Sequence, residues 1–337
     1  MLDIVTFGSA AQDVFVRSKS FLPISGKHFS TEKRICLPWG VKIQVENIFL
    51  ASGGGGTNTA ATFTKQNLRT AYCGMVGEDY FGEVIIKELR KLGISTRFVS
   101  KIKGGNTNTS VFLTYPGTDR TALVYRGASD LLLKKDISWE KIRKAKWFYL
   151  APFSGAFTRL TDKIINFAKE NKIKIALNPG YNQLILAKKR LQKILENVDI
   201  LILNKEEASL LTKIPYRKEK EIFLAIDRLC PGITIMTKGD KGVVASDGNC
   251  LYRAGSLKTK VVDKTGAGDA FGAGFVSGII HQNNIIHAIQ LGTANAAGCI
   301  GKMGAKEGIL KANNKWSKIF VAKESCSIKN LCQLKAV

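Results

Sequence analysis

Residues 261–275 read VVDKTGAGDAFGAGF, a glycine-rich turn running into a helix of small residues. Such a turn offers backbone N–H groups and the positive end of a helix dipole to an anion. The best-known phosphate-binding turn carries a lysine and a hydroxyl residue at the helix start. Here Asp269 closes the turn, a negative charge directed at the place where phosphate would sit. Anion binding alone disfavours that residue. It makes sense when an acceptor hydroxyl lies between, losing its proton to Asp269 while attacking phosphorus. General-base help of this kind is worth roughly 10²–10⁴ in rate. The N–H groups of Gly266, Ala267 and Gly268 would then stabilise charge on the transferring phosphoryl group. The competing reading is a plain turn with Asp269 as helix cap. A dinucleotide fingerprint is only partial, because its third glycine is missing and the stretch sits late in the chain.

The elements that must position this turn alternate. Short apolar runs at 3–8, 146–151, 173–178, 199–204 and 232–237 have the look of buried parallel strands. Amphipathic helices are expected at 79–93 and 158–172, and the stretch GSLKTKVV before the turn reads as a further strand. This alternation predicts an α/β fold, an open, mostly parallel sheet with helices on both faces and ligands at the carboxyl ends of its strands. Residues 14–52 show no helical period, and 106–126 read as two strands around a Pro-Gly-Thr-Asp turn. Together, segments of about 14–52 and 104–127 are expected to form a small β-sheet lid that excludes water. One domain should span 1–325, followed by a C-terminal tail at 326–337.

The 337 residues carry 51 Lys+Arg against 27 Asp+Glu, a net charge of +24. That excess raises nucleic-acid binding, yet the basic residues are scattered and no recognition module accompanies them, so lysine-rich solvated faces and attraction for anionic substrates are the simpler account. No apolar run is long enough for a membrane span, and the N-terminus lacks the pattern of a secretion signal. Seven well-separated cysteines without a C-x-x-C pair fit reduced thiols in a cytoplasmic protein.

The motifs in register resemble the ribokinase-like, PfkB-type family of carbohydrate and nucleoside kinases. Its D-x-x-G-x-G-D turn is matched by Asp263, Gly266, Gly268 and Asp269, and its double glycine before an asparagine by Gly53-Gly54-Gly55-Gly56-Thr57-Asn58. The stretch from Cys73 to Gly82 is also family-like, and the similarity runs from residue 3 to about 308. The resemblance implies a three-layer α/β/α fold with a β lid. It further implies an ATP-dependent transfer of the γ-phosphate to a hydroxymethyl group, with Asp269 as base. Asp13, Gly54, Gly55 and Asn58 would hold the sugar; taken alone, Asn58 reads as a helix cap. Asn204 and Glu207, an N-x-x-E match, would position Mg²⁺ through water. Thr237, Gly239 and Gly242 would form the nucleotide loop, with Thr293, Asn295 and Ala296 lining the adenine pocket. Asp263 and Thr265 lie near where many relatives hold K⁺.

The acceptor stays open between a sugar, a nucleoside (adenosine-type) and a phosphorylated sugar, and a homodimer stays open too. Ribokinases proper carry a glutamate after the strand that here reads WFYLAPFSGAF, and a lysine where this chain has Gly55. Other subgroups often show an arginine where residues 178–182 read NPGYN. From a different class, a catalytically idle relative that binds nucleic acid has no use for Asp269.

Overall fold

The computed structural model describes residues 1–25, 33–117 and 120–325. Parts of the expected lid (26–32 and 118–119) and the expected tail (326–337) lie outside the described residues. Seven parallel strands form the body of the main sheet: Ile233–Thr237, Ile200–Asn204, Lys174–Leu177, Trp147–Leu150, Ile4–Phe7, Thr70–Gly77 and Ser95–Ile102, in that spatial order. All five apolar runs singled out in the sequence are among them. Three antiparallel strands, Val243–Ser246, Cys250–Ala254 and Val321–Ser325, extend one edge.

Side chains alternate across this sheet with period two. Phe148 and Leu150 face a core shared with Leu201, Leu203 and Ile226. Trp147 and Tyr149 face the opposite core, with Ile200, Ile202, Phe271 and Phe275. The second core is closed by the helices Gly55–Lys65, Ala267–Gln282 and Ile285–Ile300. Burial on both faces explains why these strands are continuous apolar runs.

A second sheet stands off the first. Its strands are Asn47–Gly53, Ala11–Arg17, Asn108–Thr114 and Thr121–Tyr125, in that order. The two stretches without helical period do pair: Ala11–Arg17 runs parallel to Asn108–Thr114. Its inner face carries Asp13, Phe15 and Phe112, which are buried. Its outer face shows Val14, Val16, Ile48, Leu50, Val111, Leu113 and Leu123 in cross-strand register. Asp79 ties this sheet to the body, accepting from the Thr107 N–H at 2.7 Å and from the Gly82 N–H at 2.7 Å.

One strand expectation fails. Residues 255–262, GSLKTKVV, form no strand. Their alternation of Lys and Thr suits an edge, but no neighbouring edge is offered to them. The chain is instead tethered at Val262, whose N–H donates to the Ile300 carbonyl at 2.8 Å, and residues 255–259 with Val261 wall a cavity.

Candidate active site

The helix Ala267–Gln282 starts from Gly266 in the left-handed region, φ 74°, and no side chain caps it. Apart from the Ala267 N–H, which donates to the Lys264 carbonyl at 3.4 Å, its first N–H groups therefore remain available to a ligand. A Cβ on Gly266 would lie 2.4 Å from Ala305 Cβ, whereas one on Gly268 would meet nothing within 4 Å. The turn thus packs on one side and opens on the other.

Asp269 sits in the first turn of this helix, half-buried, and is not its cap. Its Oδ2 accepts from Asn58 Nδ2 at 2.9 Å, which joins the two glycine signatures across 211 residues of sequence. Burial raises the Asp269 carboxyl above the ordinary range, opposed by the Asn58 amide and by the charge of Lys306. Asn58 is not a cap either: that place is held by Gly54, φ 96°, and Asn58 lies buried inside the helix. Its Oδ1 is buried with no protein partner, an acceptor left for a hydroxyl.

Around these two residues the glycine loop runs between two acids. A Cβ on Gly53 would meet Asp13 Oδ2 at 2.1 Å, and one on Gly55 would stand 3.4 Å from Asp269 Oδ1. Only bare backbone passes through that gap. The loop is pinned to the end of the first strand, since the Gly56 N–H donates to the Ser9 carbonyl at 3.1 Å and Thr6 Oγ1 donates to the Gly56 carbonyl at 2.9 Å. Asp13 is pushed up to about 6 by burial, with Lys306, Ser110 and Arg120 opposing and Asp263 reinforcing.

On the other side of the turn lies a cavity of about 460 Å³ lined by Thr237, Gly239, Gly242, Ala267, Gly268, Phe271, Thr293 and Ala296, among others. Five of the six residues expected to hold a nucleotide therefore meet in one place. Asn295 does not: it is fully buried, donates to the Ala270 carbonyl at 2.7 Å and to Thr62 Oγ1 at 3.2 Å, and accepts from the Leu310 N–H at 2.7 Å. On a helix, residues 293 and 296 share a face and 295 points about 200° away from 293, so the expectation for Asn295 is corrected to a packing role.

Asn204 and Glu207 form a reciprocal cap at the start of helix Lys205–Thr212. Asn204 Oδ1 accepts from the Glu207 N–H at 2.8 Å and Glu207 Oε2 accepts from the Asn204 N–H at 2.9 Å. Burial raises Glu207, offset by the Asn204 N–H and reinforced by Glu206 and Asp269. Two acids that repel, Glu207 and Asp269, suit a divalent cation held through water, because hard cations take oxygen ligands. Among the described residues, no group of three or more His, Cys, Asp or Glu could hold a metal by itself.

Asp263, where potassium is expected, already has several partners. Its Oδ1 accepts from the Thr265 N–H at 3.0 Å, from Thr265 Oγ1 at 2.7 Å and from Arg120; its Oδ2 accepts from the Gly304 N–H at 3.0 Å. The guanidinium from the small sheet already supplies the positive charge there. Neither Arg120 nor Lys306 was found in the sequence, where single cations in a lysine-rich chain carry no periodic signal.

Comparison with known proteins agrees with this fold. The family description pfkB family carbohydrate kinase matches residues 3–312. An uncharacterised sugar kinase of Archaeoglobus fulgidus is 31% identical over 251 residues, covering 73% of this chain and 97% of that protein. The Arabidopsis thaliana ribokinase structure with ribose and ATP superposes with a TM-score of 0.75 at 21% identity, covering 92% of this chain and 96% of that one. An Escherichia coli structure in complex with ATP and Mg²⁺ gives 0.76 at 19% identity, covering 93% and 97%. No helix among the described residues is long and apolar enough to cross a membrane.

Proposed function

The chain belongs to the pfkB family of carbohydrate kinases, and from that premise we propose that Asp269 is the base of a transfer from ATP to a sugar hydroxymethyl group. The enzyme is a phosphotransferase acting on a hydroxyl group. The observation that carries the residue assignment is the Asn58–Asp269 bond, which sets an amide and a carboxylate side by side at an uncapped helix start. Asp13 and the Oδ1 of Asn58 grip the acceptor's hydroxyls, both as hydrogen-bond acceptors. Asp269 takes the proton of the attacking hydroxyl, and the N–H groups at 266–268 face the phosphate. Thr237, Gly239, Gly242, Thr293 and Ala296 hold the nucleotide. Glu207 and Asn204 orient the waters of Mg²⁺, which when bound neutralises phosphate charge.

The small sheet acts as a lid over the acceptor, and its outer apolar face supports a homodimer in which two lids pair. A nucleoside is the second reading for the acceptor. Phe15 and Phe49 line a cavity of about 690 Å³ between lid and turn, together with Asp263 and Lys264, and aromatic walls suit a base. The test is an ADP-release screen over pentoses, hexoses, their phosphates and nucleosides. Turnover with at least one of them is expected, and silence across the whole set with ATP and Mg²⁺ would contradict the reading.

A further inference from the structure

The small sheet reaches the phosphate-facing turn through a charged contact that the mechanism above does not use. Arg120 immediately precedes Thr121–Tyr125, the outermost strand of that sheet, whose residues are all exposed. Its guanidinium lies 4.8 Å from the Phe112 ring centroid, and its Nη1 donates to Oδ1 of the buried Asp263. Both residues wall the cavity of about 690 Å³ between lid and turn. The pair therefore closes across that space and joins a thinly buried edge to the body. Asp263 also shapes the turn. Its Oδ1 accepts from the Thr265 N–H and hydroxyl, just before Gly266, and its Oδ2 accepts from the Gly304 N–H. Gly304 precedes Ala305, against which Gly266 packs. One carboxylate thus holds the turn and the segment the turn packs on. A buried anion is costly without its cation, and withdrawing one partner of such a pair leaves an uncompensated charge. The cation here is on the lid. Lifting the lid would unsettle the turn, and a fixed turn would favour the lid down.

We propose that Arg120 is a positioning residue carried on the lid: acting through Asp263, it sets the phosphate-facing turn when the lid is closed, so that lid and nucleotide are coupled. The inference rests on the kinase reading of this cleft. Coupling between two sites is reciprocal. If closure improves the turn's grip on a γ-phosphate, a bound γ-phosphate must favour closure. That effect would cross from one body to another, because the nucleotide cavity takes no residue from the small sheet.

The competing reading is that the pair merely ties down an edge strand, and the experiment separates the two without any acceptor. Arg120→Met keeps an apolar stem against Phe112 and removes the guanidinium, Arg120→Lys keeps the charge, and melting curves check the fold. Binding of the non-hydrolysable ATP analogue AMP-PNP, with Mg²⁺, is followed by calorimetry, and hydrogen exchange is read over residues 108–114 and 121–125. In the wild type the analogue is expected to slow exchange there about tenfold, and ADP, which lacks the γ-phosphate, should slow it less. In Arg120→Met the slowing should vanish and affinity for the analogue should fall about tenfold, while affinity for ADP holds. Arg120→Lys should restore most of both. Faster lid exchange in Arg120→Met with wild-type affinity for the analogue would overturn the proposal, leaving a structural tie. A wild-type lid that the analogue leaves unmoved would overturn it too, and that comparison stands even where Arg120→Met does not fold. A wild type that binds neither AMP-PNP nor ADP contradicts the kinase reading itself, and the inference with it.

Discussion

On the acceptor side of the cleft, Asp13, Asn58 and Asp269 are ionic or amide side chains delivered by three different elements and held by long-range contacts. On the nucleotide side, small and apolar residues predominate in the wall, with Asp240, Lys258 and Lys264 among them, drawn from the loop at 237–243, the stretch 255–261, the turn and the two helices that follow. Burial perturbs the acids on the first side, whereas the second offers backbone N–H groups and apolar surface. On the proposed assignment of acceptor and nucleotide, the difference follows from what each side must do. A hydroxyl has to be chosen and deprotonated, which takes charges kept out of water. A nucleotide has to be held by its phosphates and a flat base, which backbone and small residues accomplish.

The two sides should therefore fail in different ways. Among the variants that separate the two sides, the largest effect is expected for Asp13→Asn, which should cut acceptor kcat/KM by about 10²-fold, the value of one or two hydrogen bonds to a charged group. Its KM for ATP should stay put; a matching rise would erase the distinction between the sides. Gly268→Ala reverses the pattern. The added methyl enters open space of the nucleotide cavity, so ATP KM should rise about tenfold while melting is unchanged. Gly266→Ala, at φ 74° and 2.4 Å from Ala305 Cβ, should instead lose about 1–3 kcal/mol of stability.

Glu207→Gln comes next. Glutamine can keep the cap bond, so stability holds, but the Mg²⁺ needed for half-maximal rate should rise severalfold; a wild-type Mg²⁺ curve would reduce Glu207 to a cap. The smallest effect is on folding. Asp13 is raised to about 6 from 3.8, so its ionised form costs the folded state increasingly as pH rises from about 4 through 6. Asp13→Asn should melt higher at pH 8, by a stabilisation on the order of 2–3 kcal/mol, and equal wild type below pH 4. The same melting at both pH values would mean that this carboxyl is not strained by burial.

Much of this was legible in the sequence, for reasons that are local. The runs around Val5, Phe148, Leu201 and Ile235 announce strands because both faces of the sheet are buried. The turns at Gly54 and Gly266 announce themselves because positive φ selects glycine. What could not be read was pairing at a distance. Arg120 reaches Asp263 across 143 residues, and Lys306 reaches Ser52 across 254. Neither pattern differs in sequence from any solvated lysine or arginine. Asn295 was misjudged because motif position says which helix a residue is on before it says which face. Residues 255–262 were misjudged because strand character needs a free edge, which depends on the rest of the sheet.

The central claim is that Asp269 faces the nucleophile while the N–H groups beside it face the phosphate. Rapid-quench measurement of the phosphoryl-transfer step in Asp269→Asn, with ATP and acceptor binding followed by calorimetry, tests it most directly. The account predicts both ligands bound with near wild-type affinity and a transfer step slowed by roughly 10²-fold or more, the scale of a lost general base. A variant that binds both ligands and transfers phosphate at the wild-type rate would contradict it.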